Sequence, residues 1–343
     1  MEKDKLTGKG KEISPAGDVY EGDFVDGLPH GRGKLTFSYG DVYEGEFAGG
    51  KFHGKGTYAY ADRAWYTGDF AAGKCHGKGV YTFSDGAVYE GDFVDHKCHG
   101  KGTKVFRNGV IYQGDFVQGE MTGKGKKTFP DGAVYVGDFL NGEYQGKGKK
   151  TYPDGAVYEG EFCGGFFHGK GKLINPQGIL YDGQFAYHKC HGKGKTTSPC
   201  GELYEGDFFD NVAHGKGKLI LADGTKYEGD FINDKRHGKG KQISPDGEVY
   251  EGDFVNGEFH GKGTFTSLDG ALYSGNFAEG MPHGKGTLTF PDGTICTGDF
   301  FKNGNMDVGV RLCKVGSEPD ECGSDGLPSA GPIIRITAQG NGA

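Results

Sequence analysis

Nowhere in the 343 residues do about eighteen apolar residues run together, so no helix of bilayer-spanning length is encoded. Hydrophobic residues make up only 34%, too few for a thick globular core. A basic surplus is missing too: 39 Lys and Arg stand against 47 Asp and Glu, a net charge of −8. That argues against nucleic acid as a partner and weakens the case for an anionic membrane. The eight cysteines include no Cys-x-x-Cys pair. MEKDKLTGKG at the start has no apolar stretch of signal-peptide kind, Glu2 stands where myristoylation needs glycine, and the closing QGNGA has no prenylatable cysteine. No catalytic triad, P-loop or paired-carboxylate site is evident, so neither enzyme activity nor a cofactor is expected. Glycine, 69 of 343, follows no Gly-X-Y register, which excludes collagen. Disorder fits poorly, because 19 Tyr and 25 Phe recur at set positions.

What the chain does have is a period. Twelve consecutive units of 23 residues fill residues 20–295. Such a period marks an array of small structural units rather than a compact catalytic domain. Counting each unit from zero, Tyr opens all twelve: Tyr20, Tyr43, Tyr66, Tyr89, Tyr112, Tyr135, Tyr158, Tyr181, Tyr204, Tyr227, Tyr250 and Tyr273. Phe stands at plus four: Phe24, Phe47, Phe70, Phe93, Phe116, Phe139, Phe162, Phe185, Phe208, Phe231, Phe254 and Phe277. Gly holds plus two, and Gly-basic-Gly holds plus eleven to thirteen.

Tyr-x-Gly-x-Phe alternates with period two and reads as a strand, with Tyr, Gly and Phe on one face. Gly31-Arg32-Gly33-Lys34-Leu35-Thr36-Phe37 alternates likewise. Turns such as Pro130-Asp131-Gly132 link the second strand to the next Tyr strand. Three glycines per unit are expected to share the aromatic face and leave slots for the rings. The other face carries charge: plus three is acidic in ten units, with Gln184 and Asn276 as exceptions, and plus twelve is basic in all. The array is trimmed at both ends so that each Gly-x-Gly strand keeps its following Tyr strand, giving thirteen hairpins. Twenty-six strands at about 4.8 Å each make a body on the order of 120 Å long before twist. The expected fold is therefore all-β, an elongated single-layer antiparallel sheet of consecutive β-hairpins. Residues 1–5 are an extension, 6–300 the array, and 301–343 a largely flexible tail in which Ile333-Ile334-Arg335-Ile336-Thr337 is a candidate edge strand. Cys75, Cys98 and Cys190 hold equivalent places about 10 Å apart or more, beyond disulfide reach, so free thiols are expected.

These residues resemble the MORN motif, Tyr-x-Gly-x-aromatic followed by Gly-x-Gly on a 23-residue period, over residues 6–300. The resemblance implies consecutive hairpins in one twisted sheet. It also implies a protein made almost wholly of the repeat, like the protist scaffolds that dimerise and organise cytoskeletal or membrane-associated structures. Residues 301–343 are too few for the lipid-kinase or methyltransferase domains that such arrays can precede. Two departures stand out. Arg63 and Trp65 replace the usual turn chemistry, which suggests a local bend or contact. Units seven to eleven lose the aromatic at plus seventeen (Asn175, Ser198, Leu221, Ser244, Ser267), which suggests a looser stretch.

The leading functional expectation is a non-enzymatic scaffold that self-associates as a homodimer and carries cytoskeletal or cortical proteins. Its expected place is the cytoplasm, at the cytoskeleton, cell cortex or cilium. One alternative is a membrane-binding module in which the basic column meets phosphoinositide headgroups: Arg32, Lys55, Lys78, Lys101, Lys124, Lys147, Lys170, Lys193, Lys216, Lys239, Lys262 and Lys285. Another is a radial-spoke-like ciliary component. Ten of the twelve histidines sit at plus ten and are expected to cap or line the connector between strands. The clusters His96-Lys97-Cys98-His99 and His188-Lys189-Cys190-His191 have ligand-like spacing, but both belong to the repeated connector, and no metal is assigned.

Overall fold

The computed structural model describes residues 6–300 and the short strand Arg311–Cys313. The extension 1–5, the rest of the tail and the candidate strand at 333–337 lie outside the described residues. Every regular element among the described residues is a β-strand. The chain divides into two units, residues 1–168 and 169–343, the division falling inside the strand Phe166–Ile174. Each unit is a single antiparallel layer in which consecutive strands pair. Seven-residue strands such as Val19–Val25 carry Tyr-x-Gly-x-Phe, and nine-residue strands such as Leu28–Thr36 carry Gly-x-Gly. Beyond the trimmed array, Arg311–Cys313 adds one more strand against Ile295–Phe300.

Two kinds of turn set this order. After each Tyr strand only two residues intervene, both at positive φ, as at Asp26 (52°) and Gly27 (77°). That is the type I′ geometry, whose twist matches that of the flanking strands. The connector is therefore shorter than the sequence suggested. The strand resumes at plus eight, so the plus-ten histidines lie within strands and do not cap a connector. The second turn closes through a pair of backbone bonds, Phe83 N–H to Ala87 O (2.8 Å) and Gly86 N–H to Phe83 O (2.9 Å). Arg63 keeps the same turn, its N–H donating to Tyr60 O at 3.1 Å, by adopting φ 73°. No change of register accompanies it. Units seven to eleven also keep their register. At Asn175, Ser198 and Ser267 the lost aromatic is replaced by a polar side chain that bonds within the turn, such as Asn175 Oδ1 accepting Gln177 and Ile179 N–H, while Leu221 is apolar.

A bulge recurs from repeat to repeat in residues 1–168 and in residues 169–300. Gly22 faces Gly33, but Asp23 faces His30, so Gly31 and Arg32 have no opposite number on that side. On the other side they pair regularly with Phe47 and Glu46. Gly31 has φ 59°, and a side chain there would point at the Asp23 carboxylate. This corrects the expectation of three glycines under the rings: two are slots and the third is a bulge residue.

The core is the aromatic ladder. All twenty-four Tyr and Phe at positions zero and plus four are buried, none more than 7% exposed. Within residues 1–168 and within residues 169–300, Tyr packs edge-on against its own Phe and the Phe of the next repeat. Tyr20 to Phe24 is 5.0 Å and Tyr20 to Phe47 is 4.9 Å between centroids, and the same contacts run within each unit to Tyr158–Phe162 and Tyr273–Phe300. The ring lies over bare backbone, and its hydroxyl donates to the plus-three carbonyl, as Tyr112 does to Asp115 O at 2.9 Å.

Candidate functional site: the charged groove

With the rings used up inside, the opposite face presents plus one, plus three, plus twelve and plus fourteen. Each plus-twelve residue lies directly across from the plus-three residue of the next unit, Lys55 opposite Asp69 for example. Seven of the twelve residues singled out for lipid contact are thereby ion-paired to aspartate: Lys55, Lys78, Lys101, Lys124, Lys193, Lys216 and Lys239. Arg32, Lys147 and Lys285 face acids across the ladder, while Lys170 and Lys262 face the amides Gln184 and Asn276.

The aspartate has a second task. Asp69 Oδ2 accepts the Lys78 N–H at 3.0 Å across the bulge while Oδ1 meets Lys55 Nζ at 2.5 Å. The bond to the Lys55 ammonium, against the opposing effect of burial, holds the Asp69 carboxyl below its usual range, and Lys101 does the same for Asp115. The pairs are largely solvent-exposed, so each contributes little to stability. Their effect is to hold the face in order and nearly neutral.

This face forms grooves. In residues 169–300 one of about 1510 Å³ runs from Asp182 to Lys285, floored by glycine backbone and walled by Lys, Glu and Asp. In the first unit two smaller ones, about 1020 and 610 Å³, follow the same rows. The aromatic side differs between units. Lys104, Lys127 and Lys150 lie over rings there, with Lys104 Nζ 4.7 Å from the Phe83 centroid and 4.9 Å from Phe106, and Lys150 Nζ 4.6 Å from Tyr152. Burial depresses the ammonium pKa of Lys127 and of Lys150.

One class of residue escaped sequence reasoning. Plus seven is Gly in eight units but His96, His188, Asn211 and Asp234 in the others, all at positive φ. Three of these side chains reach the preceding hairpin: Cys190 N–H donates to Asn211 Oδ1 at 2.8 Å, Ala213 N–H to Asp234 Oδ1 at 2.7 Å, and Cys75 N–H to His96 Nδ1 at 3.4 Å. A non-glycine where the period demands glycine was the available signal. The ligand-spaced clusters do not assemble into a metal centre: among the described residues no group of three or more His, Cys, Asp and Glu is placed to hold an ion. Burial pushes the Cys75 thiol up to about 12 and those of Cys98 and Cys190 up to about 11, which makes them poor nucleophiles.

Fold and face together define a repeat protein whose units present one surface over and over. The sequence profile of the MORN repeat matches twelve segments from 20–42 and 43–64 through 250–271 to 273–295, and the chain belongs to the MORN-repeat family. This is a family of repeat scaffolds, and no catalytic family is indicated. No curated protein matches the chain. Among solved structures, the TCP domain of Drosophila melanogaster SAS-4 (dCPAP), in complex with a proline-rich motif of Ana2, is similar at 11% identity and TM-score 0.27, covering 52% of this chain and 87% of that one. The Danio rerio CPAP TCP10 domain with a STIL peptide is similar at 13% identity and TM-score 0.20, covering 89% and 99%. Virginiamycin B lyase of Staphylococcus aureus is similar at 12% and TM-score 0.13, covering 87% and 86%. At such scores none of them lends this chain a partner or an activity.

Proposed function

We propose that the chain is a non-enzymatic scaffold that self-associates and seats partner proteins of cytoskeletal or membrane-associated assemblies in its charged groove. The supporting observation is the division of labour between faces: the aromatic face is consumed by the core, while the polar face repeats the same floor and walls from strand to strand. Self-association is supported by the edge strand Gly8–Ile13, which pairs on one side only among the described residues. A photo-crosslinking residue at Lys218, in the groove, is expected to capture partners from cytoskeletal extract, whereas one at Asp246, in a turn, is not. Equal capture at both sites refutes the groove, and light scattering that finds only monomer at all concentrations refutes self-association.

One observation favours a second reading, contact with anionic membranes. Lys104, Lys127 and Lys150 sit half-buried among rings, the mixture of ammonium and aromatic groups that suits a bilayer interface. On this reading the contact runs through these lysines rather than the ion-paired column. Anionic vesicles should pellet the chain at physiological salt and release the triple Lys→Gln variant; no recruitment of the native chain removes the reading. Imaging of a tagged chain at axoneme or cortex decides between ciliary and cortical roles.

A further inference from the structure

Two rows of charge cross the strands in the groove of residues 169–300. One joins plus twelve to the next plus three, the other plus fourteen to plus one. Through the four strands from Val212–Ile220 to Val249–Val255 both rows alternate strictly, four lysines against four acids, with Lys216–Asp230 at 2.5 Å and Lys218–Glu228 at 3.2 Å. The pattern stops at the strand Glu258–Thr266. In the first row Lys262 now faces Asn276, and Lys285 faces Asp299. In the second row the charges disappear: Thr264 faces Ser274, and Thr287 faces Thr297. Asp253, the nearest acid before Lys262, is already engaged by Lys239 Nζ at 2.6 Å and by the Lys262 N–H at 3.1 Å. The last four strands of the array thus carry two lysines, one aspartate, one amide and four hydroxyls where their neighbours are neutral.

From this break we infer a phosphate-monoester site, which takes a phosphorylated serine or threonine of a partner segment lying along the groove. The chemistry selects that group. A phosphate monoester is a tetrahedral dianion with three strong acceptor oxygens, matched by two ammonium groups and several hydroxyl donors, whereas a carboxylate needs one cation. Lys262 and Lys285 stand two strands apart, about 10 Å, and their four-carbon stems let both ammonium groups converge on one anion. The site is the end of a groove whose two rows are charge-balanced from Lys193 to Asp253, so a chain lying along that stretch gains its specificity at this end. A flat bilayer would meet as many carboxylates as lysines along the rows from Lys193 to Asp253.

The inference rests on the groove being a partner-binding face. The test uses the full chain and two fluorescein-labelled Gly/Ser peptides that differ only by one phosphoserine, read by fluorescence anisotropy at low salt. The phosphorylated peptide is expected to bind at least about ten-fold tighter, an electrostatic advantage that falls as salt rises. Asn276→Asp restores the acid that ten of twelve units carry at this place, so the strand register survives, and the preference should vanish. Lys262→Gln and Lys285→Gln should each cut it several-fold. Equal binding of both peptides overturns the proposal, as does a preference that survives Asn276→Asp. Binding of inorganic phosphate or of vesicles containing phosphorylated inositol lipid, without the phosphopeptide, also overturns it. The crosslink at Lys218 reads the groove independently: if it persists while the phosphate preference is absent, this proposal fails and the scaffold reading stands.

Discussion

The ring-over-glycine core predicts a large penalty for the smallest substitution. In Gly125→Ala the new methyl would lie 2.5 Å from Tyr112 Cε2, 2.6 Å from its hydroxyl and 2.7 Å from Cζ. The ring has nowhere to go. Tyr112 is 0% exposed, is wedged edge-on between Phe116 (5.1 Å) and Phe139 (4.9 Å), and donates to Asp115 O at 2.9 Å. Overpacking of this kind costs about 1–3 kcal/mol, and loss of the hydroxyl bond adds about 1. The expected destabilisation is therefore about 2–4 kcal/mol, read by urea titration with circular dichroism. Because an array unfolds unit by unit, amide exchange in the two flanking strands should locate the loss. Gly86→Ala is the control. Its methyl meets nothing within 4 Å, and only the positive φ of 90° opposes it, at about 1 kcal/mol. The decisive measurement is the double-mutant cycle with Tyr112→Leu. Once the ring is gone, Gly125→Ala should cost less than about 1 kcal/mol. A Gly125→Ala chain as stable as the native one, or the same penalty with and without the Tyr112 ring, refutes the slot mechanism.

Further outcomes follow from single residues. Arg63 holds a positive φ that glycine takes in the equivalent turns of the other units, so Arg63→Gly should stabilise the chain by about 0.5–1 kcal/mol in the same titration; a loss of stability would show an Arg63 contact that outweighs the strain. His96 accepts a hydrogen bond through Nδ1, and burial, helped by the Lys74 ammonium against Asp95, lowers its pKa. The unfolded chain then binds this proton more readily, so the contribution is present above the ordinary histidine pKa and lost as pH falls through the lower folded value. His96→Asn keeps an acceptor at that position, as Asn211 does in its unit, and should flatten stability between pH 7 and 5; an unchanged slope refutes the assignment. Burial pushes the Tyr112 phenol up to about 12, the Asp115 carboxylate adding to it, and burial does the same for Tyr273. Stability from these groups is present below the ordinary phenol pKa of about 10 and lost as pH rises towards 12. Tyrosinate absorbance should rise together with the loss of circular dichroism; ionisation of the ladder with the fold intact would contradict the burial.

The 23-residue period was enough to place the strands of the array, though not Arg311–Cys313 beyond it, because side-chain alternation and turn residues are local properties. Tyr20, Gly22 and Phe24 belong to one face by arithmetic, and Asp23 to the other. Turn chemistry was harder: His96 and Asn211 occupy a left-handed position that only the type I′ geometry exposes. The role of each glycine was hidden as well. Gly31 and Gly33 look alike in Gly-Arg-Gly, yet one takes the bulge and the other receives the ring, since the register against the preceding strand shifts between them.

What the chain alone determined is the order and pairing of its strands, with aromatic rings on one side and charge on the other. What only the tertiary structure decided is the company each charge keeps. Lys216 belongs to one unit by sequence but to Asp230 of the next by geometry, and Lys262 finds an amide at the same place. Period two assigns a side chain to a face, but its neighbour across the ladder depends on how adjacent strands align, and the bulge at each Gly-x-Gly resets that alignment.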